Sequence, residues 1–235
     1  MKSFAVAAGA AVAVVTLACG LAAPLALADP IDVTDPSGGY YALHVTSLKE
    51  ARFKRTIRQQ YDFSCGSAAV ATLLTYQYNT PVTEQQAFIY MFQHGDQQKI
   101  RREGFSLLDI RNYLASLGFL ADGYEVPLDK LAQTRTPAIV LIVEHGYHHF
   151  VVVRGLRNGR VLIGDPATGT RAMSRQSFEE KWQDHVVFVI HNRPELAAFN
   201  DERDWHIAPD APLYTGIPRD SLYSVVVPKL GPGEF

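Results

Sequence analysis

QQYDFSCGSAAVATLL, residues 59–74, is the stretch on which the reading of this chain turns. Cys65 stands at the mouth of a run of small and apolar residues in which Ala68, Ala71, Leu74 and, further on, Tyr78 recur at helical spacing. The spacing predicts a helix from Cys65 to about Tyr78, broken by Asn79, Thr80 and Pro81. A cysteine in the first turn of a helix faces unsatisfied N–H groups and the positive end of the helix dipole, a setting that favours thiolate over thiol. Gly66, Ser67, Ala68 and Ala69 keep the helix start slim, so a substrate backbone can come close.

The chain opens with Met1 and Lys2, followed by an uncharged run from Phe4 to Ala28 that ends Ala26-Leu27-Ala28 before Asp29. A positive start, an apolar centre and small residues before the cut describe a signal peptide cleaved after Ala28. An uncleaved membrane anchor and a lipoprotein site at "TLAC" are the alternatives; Pro24 and the small-residue end favour cleavage. Taking 28 residues from 235 leaves 207 and removes Cys19, so Cys65 stays as a single cysteine. Cysteines in an oxidising compartment are normally paired. A leftover one marks an intermolecular bond, a reactive thiol or a small buried hydrophobe.

The mature length suits one domain with a tail. The formal charge of −2 becomes −3 once Lys2 is lost, which gives no electrostatic basis for binding nucleic acid or anionic lipid. After the signal peptide no apolar run could span a bilayer, and no phosphate-binding loop or other cofactor motif is present.

Residues 29–51 read as an N-terminal arm with a first strand in "YALHVTSL", 41–48. Thr83 with Gln86, and Ser106 with Asp109, are capping-box patterns that open two further helices, the second stopped by Gly118. Between them, "HGDQQKIRREG" at 94–104 reads as a surface loop. The period then changes. "AIVLIVEH" at 138–145, "HHFVVVRGL" at 148–156 and "GRVLIGD" at 159–165 are β-branched runs separated by turn residues, which predicts antiparallel hairpins. A short helix at "SRQSFEEKW" and a strand at "VVFVI" follow. Helices first and sheet second predict an α+β domain over 52–193, with a helical layer packed on an antiparallel sheet. Recurrent proline from Pro194 makes 194–235 an extended C-terminal arm.

A cysteine nucleophile needs a histidine to take its proton and return it to the leaving amine. His145, His148 and His149 cluster in "HGYHHF", and strand alternation places His149 in phase with Val151 and Val153, opposite His148. Asp165 ends the next strand; if the two strands pair through "RNG", it lies near the His149 end and can orient the imidazole. The same residues admit other readings. "HGYHH" could hold a metal, Asp165 before Pro166 could simply begin a turn, and Gln59 and Gln60 could be solvated loop residues.

Three motifs in order, "QQYDFSCGSA" at 59–68, "HHFVVV" at 148–153 and "IGDP" at 163–166, together with "GFSLLDIRNYLASLGF" at 104–119, resemble the papain-like cysteine peptidase domain of bacteriocin exporters. Those domains trim double-glycine leaders. The resemblance covers about residues 52–191 and implies Cys65 as nucleophile, His149 as base, Asp165 as orienting carboxylate and Gln59 as oxyanion donor, with no metal or cofactor. The residue before the cysteine, commonly acidic in the exporters, is Ser64 here. No transporter follows and a signal peptide precedes, which implies a free-standing periplasmic member. Its expected partner is a polypeptide: an exported protein or export-system component, as in functional-amyloid secretion. A catalytically idle substrate-holding module and a cell-wall amidase using the same residues are the competing functions.

Overall fold

A computed structural model describes residues 46–144 and 146–208, and the backbone of 31–34 and 40–43. The expected signal peptide, His145 and the arm beyond 208 lie outside the described residues. Contacts divide the chain into two units, 1–46 and 47–235. In the first, β1 (Ile31–Thr34) and β2 (Tyr40–Leu43) form an antiparallel ribbon. The strand expected over 41–48 is thus shorter. Ser47, itself extended, caps a short helix, α1 (Leu48–Arg52), its hydroxyl accepting from Glu50 N at 3.1 Å.

The second unit is built around α2 (Cys65–Thr72), all eight residues of which are buried. A helix with no polar stripe can only be stable inside other layers. It is continued by a π-helical turn, Leu73–Gln77, and ends at Tyr78. On one side lie α3 (Glu84–His94) and α5 (Leu107–Ser116), both opened by the capping boxes expected at Thr83 and Ser106. On the other lies a six-stranded antiparallel sheet.

Its strands are β3 (Ala121–Glu125), β4 (Ala138–Glu144), β5 (Tyr147–Arg157), β6 (Arg160–Asp165), β7 (Gly169–Ser174) and β8 (Val186–Ile190), in the order β3-β8-β4-β5-β6-β7. Asn158 and Gly159 both take positive φ, 53° and 69°, the backbone of a tight hairpin turn that matches strand twist, so "RNG" joins β5 to β6 as read.

β4 and β5 are buried on both faces, which is why they read as continuous apolar runs rather than alternating ones. Ile139, Phe150, Val152 and Phe188 face the α2 layer. Val140, Ile142, Val151 and Val153 face a second layer formed by α6 (Leu128–Thr134), α7 (Arg175–Glu179), Trp182 and Phe199. The α+β class therefore holds, with helices on both sheet faces.

One expectation is corrected: the presumed loop 94–104 contains a helix, α4 (Gln97–Glu103). Asp96 caps it, accepting from Gln98 N and Lys99 N at 3.0 Å, but Ile100 is its one buried residue, so no apolar period marks it. Residues 194–208 form a 3-10 turn, Pro194–Leu196, and α8 (Glu202–Trp205), with Phe199 and Trp205 buried. Among the described residues no helix is long and apolar enough to cross a membrane.

Candidate active site

The fold delivers Cys65 on the first residue of α2, 8% exposed and not in a disulfide. The slim helix start has a purpose: a Cβ on Gly66 would lie 2.9 Å from Phe105 Cβ, so α2 can sit this close to its neighbour only with glycine there. His149 is the third residue of β5 and Asp165 the last of β6. Because Val152 pairs with Gly164 across the hairpin, the two side chains meet at one end of the sheet, and His149 Nε2–H donates to Asp165 Oδ1 at 2.7 Å. That leaves Nδ1 free for Cys65, whose side chain lies close enough to help raise the imidazole pKa.

Burial alone would push the His149 imidazole down. The hydrogen bond and charge of Asp165, with the neighbouring Cys65, outweigh it and carry the pKa up to about 9, so the ring is an imidazolium at neutral pH. Asp165 is 1% exposed. Burial would raise its carboxyl, but the His149 hydrogen bond and charge, the Thr168 hydroxyl and the Ala167 amide hold it well below the usual carboxylate range. Oδ1 also accepts from Ala167 N at 2.8 Å, and Oδ2 from Thr168 Oγ1 at 2.8 Å.

Arg171 and Glu144 join this site without having been singled out in the sequence. Arg171 on β7 donates from Nε and Nη2 to Asp165 Oδ2 at 3.2 and 3.0 Å, and from Nη2 to Glu144 at 2.7 Å. Lys181 closes the chain onto Glu144. Asp165 is thereby fixed on every lone-pair direction, leaving the imidazole little freedom to rotate. The signal was the register: Arg171 pairs with Ile163, two residues from Asp165 on the same face.

Gln59 enters the same corner from the other side, its N–H donating to Pro166 O at 3.1 Å. Its Nε2 donates to the carbonyls of Tyr61 at 3.1 Å and Asp62 at 3.4 Å, while Oε1 is buried without a partner. The structure thus ties Gln59 to the loop that enters Cys65 rather than pointing its amide outright at the sulfur.

A groove of about 760 Å³ runs past Cys65. Its floor is apolar, with Phe63, Phe105, Leu141 and Phe150, and Lys99, Arg101 and Arg102 of α4 stand on its rim. His148 lines this groove and is exposed, whereas His149 is turned inward. A cysteine beside a fixed imidazole–carboxylate pair that can hold its proton, next to a groove wide enough for a peptide, is equipped for attack on an amide carbonyl.

Over 155 residues the chain is 40% identical to the probable functional amyloid protease FapD of Pseudomonas aeruginosa, covering 66% of this chain and 69% of that protein. The corresponding protein of Pseudomonas fluorescens is 39% identical, over 66% of this chain and 68% of its own. A solved structure, the peptidase domain of Streptococcus ComA, a bifunctional ABC transporter, aligns with 58% of this chain and 97% of that domain at 20% identity and a TM-score of 0.49. The Peptidase C39 family profile matches residues 54–194, and together with the two FapD relatives it shows that the chain is a cysteine peptidase belonging to the Peptidase C39 family.

Proposed function

We propose that this peptidase works in the periplasm and cuts an exported protein, or a component of its export system, in amyloid-fibre secretion. The His149–Asp165 hydrogen bond, with Cys65 on the neighbouring helix start beside the groove, carries the reading. Support for the setting comes from the signal-peptide pattern of residues 1–28 and from the relatives named as functional amyloid proteases.

Cys65 Sγ attacks the scissile carbonyl carbon, and the new oxyanion is held by the Cys65 backbone N–H and by the Gln59 amide, whose longer Nε2–H bond to the Asp62 carbonyl is exchanged for the oxyanion. As the tetrahedral intermediate collapses, the C–N bond breaks and the His149 imidazolium gives its proton to the departing amine. Water, deprotonated by the now neutral imidazole, attacks the thioester and releases the acid. Asp165 keeps Nε2–H engaged throughout, so Nδ1 always faces the sulfur.

The test compares cells carrying the wild-type chain with cells carrying Cys65→Ala. Mass spectrometry of their periplasmic and secreted amyloid components should show a cleaved product with the wild-type chain alone. The same product in Cys65→Ala cells would overturn the assignment.

A further inference from the structure

One buried carboxylate beside the nucleophile has no part in the chemistry above. Glu84, the first residue of α3, is 4% exposed. Its Oε1 accepts from Ser64 Oγ at 2.6 Å, from Gln60 N at 3.2 Å and from Ser67 Oγ at 3.4 Å. These partners are neutral donors, and a carboxylate held below the surface without a cation costs desolvation. All three donors come from one short segment, 60–67, which brackets Cys65.

The bonds continue inward. Ser64 Oγ also accepts from Tyr61 N at 3.1 Å, and the carbonyls of Tyr61 and Asp62 hold the Gln59 amide. Gln59 Oε1 has no partner of its own, so the placing of that amide depends on where these two carbonyls stand. Glu84 is therefore the anchor from which the loop, and through it the amide, takes its position.

We propose that Glu84 is a positioning residue of the peptidase, whose carboxylate sets the 60–64 loop so that the Gln59 amide and the Cys65 N–H converge on one oxyanion. The proposal rests on Cys65 acting as nucleophile and Gln59 as oxyanion donor. A merely structural Glu84 would instead serve the N-terminus of α3, where an acidic first-turn residue complements the helix dipole.

Two reagents separate the cases. The p-nitrophenyl ester of acetylglycylglycine acylates Cys65: an S–C bond forms, the ester C–O bond breaks, nitrophenolate leaves, and an oxyanion develops on the way. Iodoacetamide alkylates the same sulfur by displacing iodide, with no oxyanion. Glu84→Ala should slow acylation about tenfold or more while alkylation stays within about twofold. Adding Gln59→Ala to Glu84→Ala should cost little beyond Gln59→Ala alone, because both act through one amide. Glu84→Gln, which retains an acceptor, should recover most of the rate.

Should Glu84→Ala fail to fold, Ser64→Ala breaks the same link and carries the same expectations. Acylation at the wild-type rate in folded Glu84→Ala, or penalties that multiply in full with Gln59→Ala, would overturn the role of Glu84 and leave the peptidase reading intact. If the wild-type chain acylates no faster than Cys65→Ser, the peptidase reading fails and this proposal falls with it.

Discussion

At the scale of single residues, the site is governed by how strongly His149 holds its proton. Its pKa of about 9 means that the imidazolium needed to protonate the leaving amine is present up to that pH and lost above it. Asp165→Asn removes the charge that supports the ring, so turnover should fall about ten- to a thousandfold. The alkaline limb of its pH–rate profile should also move downward; a limb that stays near pH 9 would contradict the role given to Asp165. The linked effect on stability has a definite sign. A folded pKa raised from 6.5 to about 9 gives stabilisation that is full below pH 6.5 and disappears as pH climbs to 9. Asp165, shifted the other way, contributes above the ordinary carboxylate pKa and loses that contribution only in strong acid. Much of this site was legible because cysteine, histidine and aspartate at the ends of recognisable elements carry obvious chemistry. Arg171, Glu144 and Glu84 were not, since each acquires its meaning from a partner that only strand register or helix packing supplies.

Elements show the same division. Both capping boxes, α2 and the β5–β6 hairpin follow from local rules and were readable. α4 and β3 were not: α4 buries Ile100 alone, and β3, Ala-Asp-Gly-Tyr-Glu, is an edge strand paired with β8 on one side. An edge needs no apolar alternation to be held. The register of β5 has the sharpest functional consequence. His149 lies opposite Ile142 and His148 opposite Val143, so neighbouring histidines have different surroundings. His149→Ala should be nearly as damaging as Cys65→Ala, because the two act as a unit. His148→Ala, at an exposed groove position, should lose no more than a few-fold in turnover. Steady-state rates of the two variants on one peptide decide this, and the reverse order would mean a one-residue slip of the strand.

For the whole molecule, the family match ends at residue 194, yet the packing does not. Arg154, fully buried in β5, lies 3.5 Å from Asp204 Oδ1 and donates to Thr170 Oγ1 at 3.1 Å and to the Arg55 carbonyl. Burial pulls its pKa down to about 10 despite the support of Asp204. Asp204 in turn accepts from Arg55 and, at 3.1 Å, from Gln77 Nε2. A charged residue inside the apolar run "FVVVRGL" hints that such a partner exists, but its position beyond the sheet could not be read from the spacing. Asp204→Ala leaves Arg154 buried without its counter-charge and should cost about 3–5 kcal/mol. Urea denaturation at pH 7 measures it, and an unchanged midpoint would show that the Arg154–Asp204 pair adds nothing to stability.

The tight turn at Asn158-Gly159 also has a temporal side. His149 and Asp165 are brought together by a single hairpin, a local closure that forms in microseconds in isolated peptides. Cys65 reaches them only after the chain between it and β5 has closed, a distant contact that pays its loop entropy late. A nascent or half-folded chain therefore bears an inert thiol and a prepared base that have not yet met. The complete site thus exists only where α2 has docked on β5 and β6, and a chain short of that contact carries its parts separately.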